Sequence, residues 1–362
     1  MIEPLSFQTQ ILDWYDVHGR KSLPWQQHDP YIVWISEIML QQTQVETVIP
    51  FFNRFIQRFP DLNTLSSAPI EAVIELWAGL GYYARARNLH RTAQVVVREH
   101  DGKFPKTNHE LESLPGIGRS TAGAILSLGF GIRAPILDGN LKRVFSRQIG
   151  LETWPGSSTA QNKLWALIDH LTPEFRVGPF NQALMDIGAL VCRRKNPKCM
   201  VCPINASCNA LATQRIDTIP APKPIRKKLT KKIFALVLCD TNQQIYLERR
   251  PPEGIWGGLN SFPEFSDLDS LFAFVQNRFK ETVEPAVGAP LKHVFTHFEL
   301  IMTPIHLTIP CHQAFEASPM GKWFSVEGKL GAPAPVEKIL KLREVHFHKT
   351  PHRGGHQNDE IS

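Results

Sequence analysis

The chain of 362 residues is long enough for about two domains. With 43% hydrophobic and 20% charged residues it can bury sizeable cores, which excludes global disorder, and no apolar run is long enough to span a membrane. The net charge of +6 comes from residues 1–228, which carry +7, whereas residues 229–362 carry −1. A basic first part favours a polyanionic partner. The N-terminus has no signal- or transit-peptide pattern, so we expect a cytoplasmic protein.

Residues 1–212 are predicted to form a mainly helical domain, because apolar residues recur there at helical spacing. The first such stripe is formed by Tyr31, Trp34, Ile35 and Ile38. Similar stripes run through residues 47–59, 70–77, 84–98, 120–128, 141–149 and 160–170. Prolines punctuate the chain between several of these stripes, as is typical of helix boundaries.

The composition changes after residue 212, which indicates a second domain. Residues 213–230 contain a proline-rich, basic stretch and are predicted to be an extended linker. Residues 231–347 are predicted to form a smaller α+β domain, and residues 348–362 a polar, disordered tail. The predicted strands of this domain are Ile233–Cys239, Gln244–Leu247, Lys292–Glu299 and Thr303–Ile309, with a helix over residues 267–279.

Four cysteines lie within 17 residues, at Cys192, Cys199, Cys202 and Cys208. Such clustering is typical of a metal or cluster site, and from the spacing alone one zinc ion and one four-iron cluster both remain open. The basic residues among 193–198 fill the first loop between cysteines. They fit either a phosphate-docking element or a solvated charged loop.

A Pro-Gly-x-Gly turn at Leu114–Gly118 joins two predicted helices, Asn108–Ser113 and Ser120–Leu128. This pattern is typical of a helix–hairpin–helix, in which Gly116 and Gly118 let the backbone approach a DNA phosphate. An ordinary helical hairpin is the alternative.

Two carboxylates are candidate catalytic groups. Glu37 stands in an otherwise apolar stretch, so burial is expected to raise its pKa into the range of a general acid. A salt-bridged glutamate at a helix edge is the alternative. Asp138 follows the hairpin, and taken alone it is better explained as the N-cap of a helix that begins near Asn140 than as a catalytic group.

Two polar stretches are candidate DNA contacts. The amides and hydroxyl of residues 41–44 suit hydrogen bonding to base edges, or they form a solvated helix end. Aromatic residues alternate with arginines in residues 80–87, where Tyr82 and Tyr83 suit a wedge between bases or half-buried packing.

The order of these motifs resembles one family closely, the adenine DNA glycosylases of the MutY type. They belong to the helix–hairpin–helix glycosylase superfamily, which includes endonuclease III. The matching stretches are LPWQ (23–26), VWISEIMLQQTQVETVIP (33–50), GLGYYARARNLH (79–90), LPGIGRSTAGAI (114–125), ILDGN (136–140), FNQALMDIGA (180–189) and the cysteine array. The resemblance extends over nearly the whole chain.

The resemblance implies an enzyme of base excision repair that removes adenine opposite 8-oxoguanine or guanine in double-stranded DNA. It implies one 4Fe-4S cluster held by the four cysteines in loop 192–208. Glu37 corresponds to the acid that protonates adenine at N7, and Asp138 to the carboxylate that stabilises the oxocarbenium-like sugar or attacks it. Asn140 matches a polar residue beside that aspartate.

The resemblance also assigns residues that contact DNA. Gln42, Thr43, Leu80 and Tyr82 match positions at the lesion and the wedge. Trp25, Leu40, Val45 and Gln182 match positions around the adenine pocket, and Gln26 stands where some relatives carry arginine. Bifunctional relatives carry a lysine in place of Ser120. Because a serine hydroxyl cannot form an imine, we expect a monofunctional glycosylase that leaves an abasic site.

The second domain resembles Nudix hydrolases in fold, at PPEGIWGGLNSFPEF (251–265) and HVFTHFEL (293–300). Gly258 and Glu264 fit the opening of the Nudix box, but Phe272 and Ala273 replace its Arg-Glu pair, so pyrophosphohydrolysis is not expected. The family reads 8-oxoguanine through a Phe-Ser-His segment. Here that segment is Phe295-Thr296-His297, in which threonine keeps the hydroxyl and adds a methyl group.

Other interpretations predict different features. A bifunctional, endonuclease III-like lyase acting on oxidised pyrimidines needs the lysine that Ser120 replaces. A non-catalytic DNA-binding cluster protein predicts loss of Glu37 or Asp138, and both are present. The resemblance further implies a bacterial-type, nucleoid-associated monomer with no membrane partner, whose linker offers a site for other repair proteins.

Overall fold

The computed structural model describes residues 2–224, 228–251, 254–278, 285–295, 298–309, 320–325 and 330–347. The chain divides into two compact units, Met1–Ile225 and Arg226–Ser362. The predicted disordered tail, 348–362, lies outside the described residues, as do Thr296 and His297. No helix in the described part of the chain is long and apolar enough to cross a membrane.

The first unit is helical, as predicted. Its α-helices are α1 (Pro4–His18), α2 (Pro30–Leu40), α3 (Val45–Arg58), α4 (Leu62–Ser67), α5 (Ile70–Trp77), α6 (Ala84–Glu99), α7 (Asn108–Ser113), α8 (Arg119–Ala124), α9 (Gly139–Ile149), α10 (Ser158–Leu171), α11 (Val177–Asp186) and α12 (Asn209–Ala212). Helices α8 and α11 each continue into a π-helical turn, at Ile125–Gly129 and Ile187–Val191.

Side chains at the N-termini explain where several of these helices begin. Asp29 precedes Pro30 at the start of α2, and its carboxylate accepts a hydrogen bond from the backbone N–H of Tyr31 at 2.8 Å. Asp61 caps α4 in the same way, with 2.8 Å to the N–H of Thr64. Each cap satisfies a backbone donor that the helix itself leaves unpaired.

Two hydrophobic clusters form the core of this unit. The first draws on residues between 25 and 134 and includes the fully buried Trp34 and Trp77. The second draws on α1 and on residues between 124 and 204, including Phe180. Helix α2 contributes to both, because Val33 packs in the second cluster and Trp34 in the first. The helix that carries Glu37 is therefore held between the two clusters.

The predicted hairpin is present, with α7 and α8 joined by the turn at residues 114–118. Gly116 has a φ of +78°, a conformation that favours glycine, and a Cβ there would lie 2.9 Å from Cβ of Asn88. Gly118 has an ordinary φ and is exposed, and a Cβ added there would have no atom within 4 Å. Of the two glycines, only Gly116 is required by the fold.

The helical unit extends past residue 212, where the sequence predicts that the linker begins. Ile219 is 1% exposed, and its carbonyl oxygen accepts a hydrogen bond from Nε of Arg147 at 2.9 Å. An apolar side chain within the proline-rich stretch therefore anchors its first part on α9. At the other end, strand pairing already begins at Leu229, one residue before the predicted end of the linker.

The second unit is the predicted smaller α+β domain. Its elements are β1 (Leu229–Asp240), β2 (Gln244–Arg249), β3 (Asn260–Ser261), β4 (Glu264–Phe265), α13 (Leu268–Arg278), β5 (Ala286–Val287), β6 (Leu291–Val294), β7 (Phe298–Ile309), β8 (Gly321–Ser325) and α14 (Ala334–Phe347). The prediction of one strand over Lys292–Glu299 is wrong. The chain reverses after Val294, and β6 and β7 pair antiparallel with Val294 opposite Glu299; apolar–polar alternation continues on both sides of the turn and conceals it.

The strands form one mixed sheet in the order β3-β2-β1-β7-β5, with β4, β6 and β8 pairing to β1, β7 and β2. The central strands β1 and β7 are parallel, with Leu229 opposite Phe298 and Asp240 opposite Ile309. Alternate residues of β1 pack toward α14 and toward α13, in two separate clusters. Burial on both faces explains the continuous apolar run over residues 233–239 of β1, whereas its first four residues are exposed.

Candidate active site

A cavity of about 930 Å³ opens beside α2 in the helical unit. Its lining comes from α2 and the loop after it, from the start of α8, from α9 and from α11. The structure brings ten of the predicted site residues into this lining: Trp25, Glu37, Leu40, Gln42, Thr43, Val45, Ser120, Asp138, Asn140 and Gln182. These residues span most of the helical unit in sequence, so it is the packing of its two clusters that assembles them.

Glu37 projects into the cavity from α2, whose other faces are almost wholly buried. Burial raises the pKa of Glu37 to about 7, and the negative charge of Asp138 adds to this shift. A carboxyl group with this pKa holds a proton in a large fraction of molecules near neutral pH. Glu37 is therefore suited to donate a proton to a group bound in the cavity.

Asp138 is bonded differently, although it lines the same cavity. It is the N-cap of α9, and its Oδ1 accepts a hydrogen bond from the backbone N–H of Leu141 at 2.7 Å. Burial raises the pKa of Asp138, while the hydrogen bonds from Leu141 and Asn140 lower it. The alternative that Asp138 caps a helix is thus confirmed, and capping leaves the carboxylate in the cavity. The net effect is a raised pKa, but Asp138, unlike Glu37, receives hydrogen bonds that stabilise its ionised form.

Ser120 lies at the start of α8, where bifunctional relatives are expected to carry lysine. Its hydroxyl oxygen accepts a hydrogen bond from the backbone N–H of Leu137 at 3.2 Å. The contact ties the hairpin to the residue before Asp138. The side chain therefore supports the position of the segment that carries Asp138 and supplies no amine.

Arg143 also lines this cavity, although the sequence did not indicate it as a site residue. Its Nη2 donates to Oδ1 of Asn140 at 3.0 Å and to the carbonyl oxygen of Gly188 at 2.6 Å, and its Nε donates to the carbonyl oxygen of Cys192 at 2.8 Å. Arg143 thereby links Asn140 to the π-helical turn and to the first cysteine. The spacing of three residues between Asn140 and Arg143 on one helix is the signal that could have identified it.

Arg20 and Gln182, which both line the cavity, are bonded to one buried carboxylate, that of Asp186. Asp186 is fully buried, and its carboxylate accepts hydrogen bonds from the backbone N–H of Arg20 at 2.7 Å and from Nε of Arg20 at 2.8 Å. Nε2 of Gln182 also donates to Asp186, at 2.9 Å. Because a carboxylate only accepts hydrogen bonds, this contact fixes the amide orientation of Gln182. No local sequence signal indicates this pair, whose members lie 166 residues apart.

The predicted wedge residues differ in exposure. Tyr82 is 55% exposed with a φ of +50°, whereas Leu80 is 6% exposed and packs in the first hydrophobic cluster. Gln42 is exposed and also has a positive φ, of +59°. Of these three predicted residues, Gln42 and Tyr82 are exposed and Leu80 is buried.

The four predicted metal ligands lie together. Cys192, Cys199, Cys202 and Cys208 all line one small cavity, of which the rest is largely apolar. Nη1 of Arg147 lies 3.4 Å from Sγ of Cys192, so a positive charge is available to balance thiolates. Among the described residues, no group of three or more His, Cys, Asp or Glu side chains is arranged to hold a single metal ion.

In the second unit, Phe295 lies in an aromatic cluster. Its ring stacks on Phe298 at 4.4 Å between centroids, and it contacts His293 at 4.6 Å and Trp256 at 5.2 Å. Thr296 and His297, which follow it, lie outside the described residues.

Glu264, which fits the opening of the Nudix box, contacts other residues of the second unit. The carboxylate of Glu264 forms an ion pair with Arg250 and accepts a hydrogen bond from Oγ of Ser261 at 3.2 Å. The carboxylate of Glu264 is therefore engaged in contacts with other residues of the second unit.

Comparisons with known proteins agree with both units. Residues 35–170 match the family model described as HhH-GPD superfamily base excision DNA repair protein, and residues 234–342 match the NUDIX domain model. A solved thermostable thymine-DNA glycosylase is 28% identical, with a TM-score of 0.52 over 58% of this chain and 97% of that chain.

Curated relatives match over greater length. The adenine DNA glycosylase of Buchnera aphidicola subsp. Baizongia pistaciae is 39% identical over 348 residues, covering 95% of this chain and 99% of the relative. The adenine DNA glycosylase of Homo sapiens is 42% identical over 225 residues, covering 59% of this chain and 41% of the relative. Since the first match spans both units at an identity well above 30%, the chain belongs to the adenine DNA glycosylase family.

Proposed function

We propose that the chain removes adenine mispaired with 8-oxoguanine or guanine from double-stranded DNA, by hydrolysis of the N-glycosidic bond. The observation that carries this proposal is the presence, in one cavity, of Glu37 with a pKa raised to about 7 and of Asp138 bonded as a helix cap. Two carboxyl groups with divided acid and base character are what glycosidic cleavage requires.

In this mechanism the adenine leaves the duplex stack and enters the cavity beside α2. Glu37 donates its proton to N7 of the adenine, so the base departs as a neutral leaving group with the electrons of the C1′–N9 bond. Asp138, whose carboxylate accepts a backbone hydrogen bond at the start of α9, stabilises in its ionised form the positive charge that develops on the sugar. Water then adds to C1′ and an abasic site remains.

Several surfaces support binding to the DNA backbone. The helical part carries the chain's excess positive charge. Among the basic residues of 193–198, Lys198 lines the cysteine cavity, and Arg193 and Arg194 line the cavity beside α2. Gly118 is exposed at the start of α8 without any internal need for glycine, which fits a close approach by an external group such as a phosphate. Contacts of this kind position the enzyme independently of sequence.

We further propose that Cys192, Cys199, Cys202 and Cys208 hold one 4Fe-4S cluster. Four cysteines that line one cavity supply the four thiolate ligands that such a cluster requires. When bound, the cluster cross-links loop 192–208 and brings redox-active iron. Cys199→Ser is expected to abolish the visible absorption of the purified protein, while Cys239→Ala, a buried cysteine of the second unit, keeps it.

The second unit is proposed to recognise 8-oxoguanine through Phe295, Thr296 and His297. The aromatic cluster around Phe295 supports this role, since stacked rings offer a surface for a purine base.

The test is single-turnover cleavage of duplexes labelled on the strand that carries the target adenine. The opposite base is 8-oxoguanine, guanine or thymine, and each reaction is analysed with and without hot alkali. Breaks only after alkali, fastest opposite 8-oxoguanine, are the expected result. Breaks without alkali would show lyase chemistry and contradict the argument from Ser120, and no product from any adenine duplex would overturn the proposal.

A further inference from the structure

The guanidinium group of Arg85, in the first turn of α6, lies at the C-terminus of α2. Its Nη1 is 2.8 Å from the carbonyl oxygen of Ile38, 2.9 Å from that of Met39 and 2.6 Å from that of Gln41. These are carbonyls that have no partner within the helix. Arg85 therefore caps the helix that carries Glu37, with its positive charge at the negative end of the helix dipole.

The other terminal nitrogen of Arg85 reaches a second segment. Its Nη2 is 3.2 Å from the carbonyl oxygens of Leu80 and Gly81 and 3.4 Å from Oγ1 of Thr43. The guanidinium carbon also lies 5.3 Å from the ring centre of Trp77 and 5.6 Å from that of Tyr82. One planar group thus connects residues 38–43 with residues 80–82.

The position of Arg85 is unfavourable for a charged side chain. It is partly buried, burial lowers its pKa to about 10, and its Nε has no hydrogen-bond partner in the part of the chain that the structure describes. No carboxylate pairs with it among the described ion pairs. The charge of this partly buried arginine is balanced by carbonyl dipoles and aromatic rings. An arrangement of this kind indicates that an arginine is needed at this position.

The two segments that Arg85 connects share an unusual feature. Each presents one exposed side chain from a left-handed backbone conformation, Gln42 with a φ of +59° and Tyr82 with a φ of +50°. Non-glycine residues keep such conformations only where the surroundings determine them strongly, and they concentrate at functional sites. The carbonyls of Gln41 and Gly81, which directly precede these two residues, are both bound by Arg85.

We propose that Arg85 is a positioning residue that holds Gln42 and Tyr82 in one fixed arrangement, so that both act together on the DNA when the target nucleotide is extruded. The inference rests on the proposed function, which includes extrusion of the target nucleotide. The connection that Arg85 makes between residues 38–43 and 80–82, here called the clamp, rests on the contacts above. Because the same group caps α2, the arrangement also fixes Glu37, one residue before Ile38, relative to the extruding side chains. A lysine in place of Arg85 has one nitrogen and cannot reach both segments.

The first experiment measures hydrogen–deuterium exchange of the full chain without DNA, comparing the parent, Arg85→Lys and the control Arg98→Lys. Arg98 lies on the same helix, with a side chain that is 67% exposed and paired to Glu99. Exchange in Arg85→Lys is expected to rise at least tenfold in residues 38–43 and 80–83 together, and to stay unchanged elsewhere in the helical unit. Faster exchange in one segment only, in neither, or throughout the unit would overturn the clamp.

The second experiment follows extrusion itself, with 2-aminopurine in place of the target adenine opposite 8-oxoguanine. Arg85→Lys is expected to slow the fluorescence rise at least tenfold while DNA affinity stays within about threefold, and Arg98→Lys to match the parent. Arg85→Ala is expected to recover most of the rate in millimolar guanidinium chloride but not in equal sodium chloride, which a merely misfolded protein would not do. Extrusion at the parent rate in Arg85→Lys, or no rescue, would overturn the role.

These outcomes are separable from the proposed function. If the parent extrudes 2-aminopurine but releases no adenine, the catalytic proposal fails. The extrusion rates of the parent and Arg85→Lys still test the role of Arg85. If the parent excises adenine and Arg85→Lys extrudes the base equally fast, only the role of Arg85 fails.

Discussion

At the scale of single residues, Glu37 and Asp138 differ through their hydrogen-bond partners. The carboxyl of Asp138 receives backbone donors at a helix start, whereas no hydrogen bond to Glu37 is found among the described residues and burial dominates its pKa. Burial raises the pKa of both groups, and only Asp138 receives backbone hydrogen bonds that oppose this shift.

The pH profile of adenine excision should therefore follow Glu37. Since the acid acts in its protonated form and its pKa is raised to about 7, the single-turnover rate is expected to fall above pH 7, by about tenfold per pH unit. Glu37→Gln should abolish excision at every pH while mismatch binding persists. A rate that rises through pH 7 to 9 in the parent, or excision retained by the variant, would remove Glu37 from the mechanism.

Asp138 combines a cap with a charge, and two substitutions separate these roles. Asparagine can still accept the hydrogen bond from Leu141, so Asp138→Asn is expected to keep stability within about 0.5 kcal/mol while excision is lost. Asp138→Ala loses the cap as well and should be less stable by about 1 kcal/mol. Urea unfolding beside single-turnover kinetics measures both. Equal activity of Asp138→Asn and the parent would contradict a role for the charge.

At the scale of elements, α11 is tied to the N-terminal segment by the ion pair between Asp186 and Arg20. Removing the buried carboxylate leaves the guanidinium group without its partner, so Asp186→Ala is expected to cost about 3–5 kcal/mol of unfolding free energy. The control Asp169→Ala removes a carboxylate that is 52% exposed and paired with Arg133, and should cost at most about 1 kcal/mol. Similar losses in urea unfolding of the two variants would show that burial of the pair does not matter.

Elements with regular hydrophobic spacing could be predicted from the sequence, and the strand–turn–strand of β6 and β7 could not. The stripe of Tyr31, Trp34, Ile35 and Ile38 lies within α2, where all four residues are buried. In contrast, the reversal after Val294 has no turn residue to mark it, so residues 292–299 have the pattern of one strand. Helix periodicity is a local property, whereas a hairpin without glycine or proline depends on its partner strands.

At the scale of the whole molecule, the chain consists of two compact units with separate hydrophobic cores. Since the cavity with Glu37 and Asp138 lies entirely in the first unit, a protein of residues 1–225 is expected to fold and to excise adenine opposite guanine at a rate near that of the full chain. Its preference for 8-oxoguanine over guanine should fall at least tenfold, because Phe295 to His297 are absent.

Circular dichroism and the same duplex assay check this expectation, with the full chain as control. An unchanged preference in the truncated protein would place recognition of 8-oxoguanine in the helical unit. Loss of all excision in a folded truncation would show that the catalytic cavity depends on the second unit.

From the sequence we could predict most helices with regular hydrophobic spacing, although not α1, α4 or α11, and also the division into a helical and an α+β part and the close grouping of the cysteines. These features depend on residues that are near one another in the chain. Which distant side chains meet is a property of the folded chain alone. The ion pair of Arg20 with Asp186 joins residues 166 positions apart, and Arg85 binds carbonyls up to 47 positions away. Such contacts arise when the two hydrophobic clusters pack on either side of α2, and packing between distant segments leaves no periodic signal in the sequence.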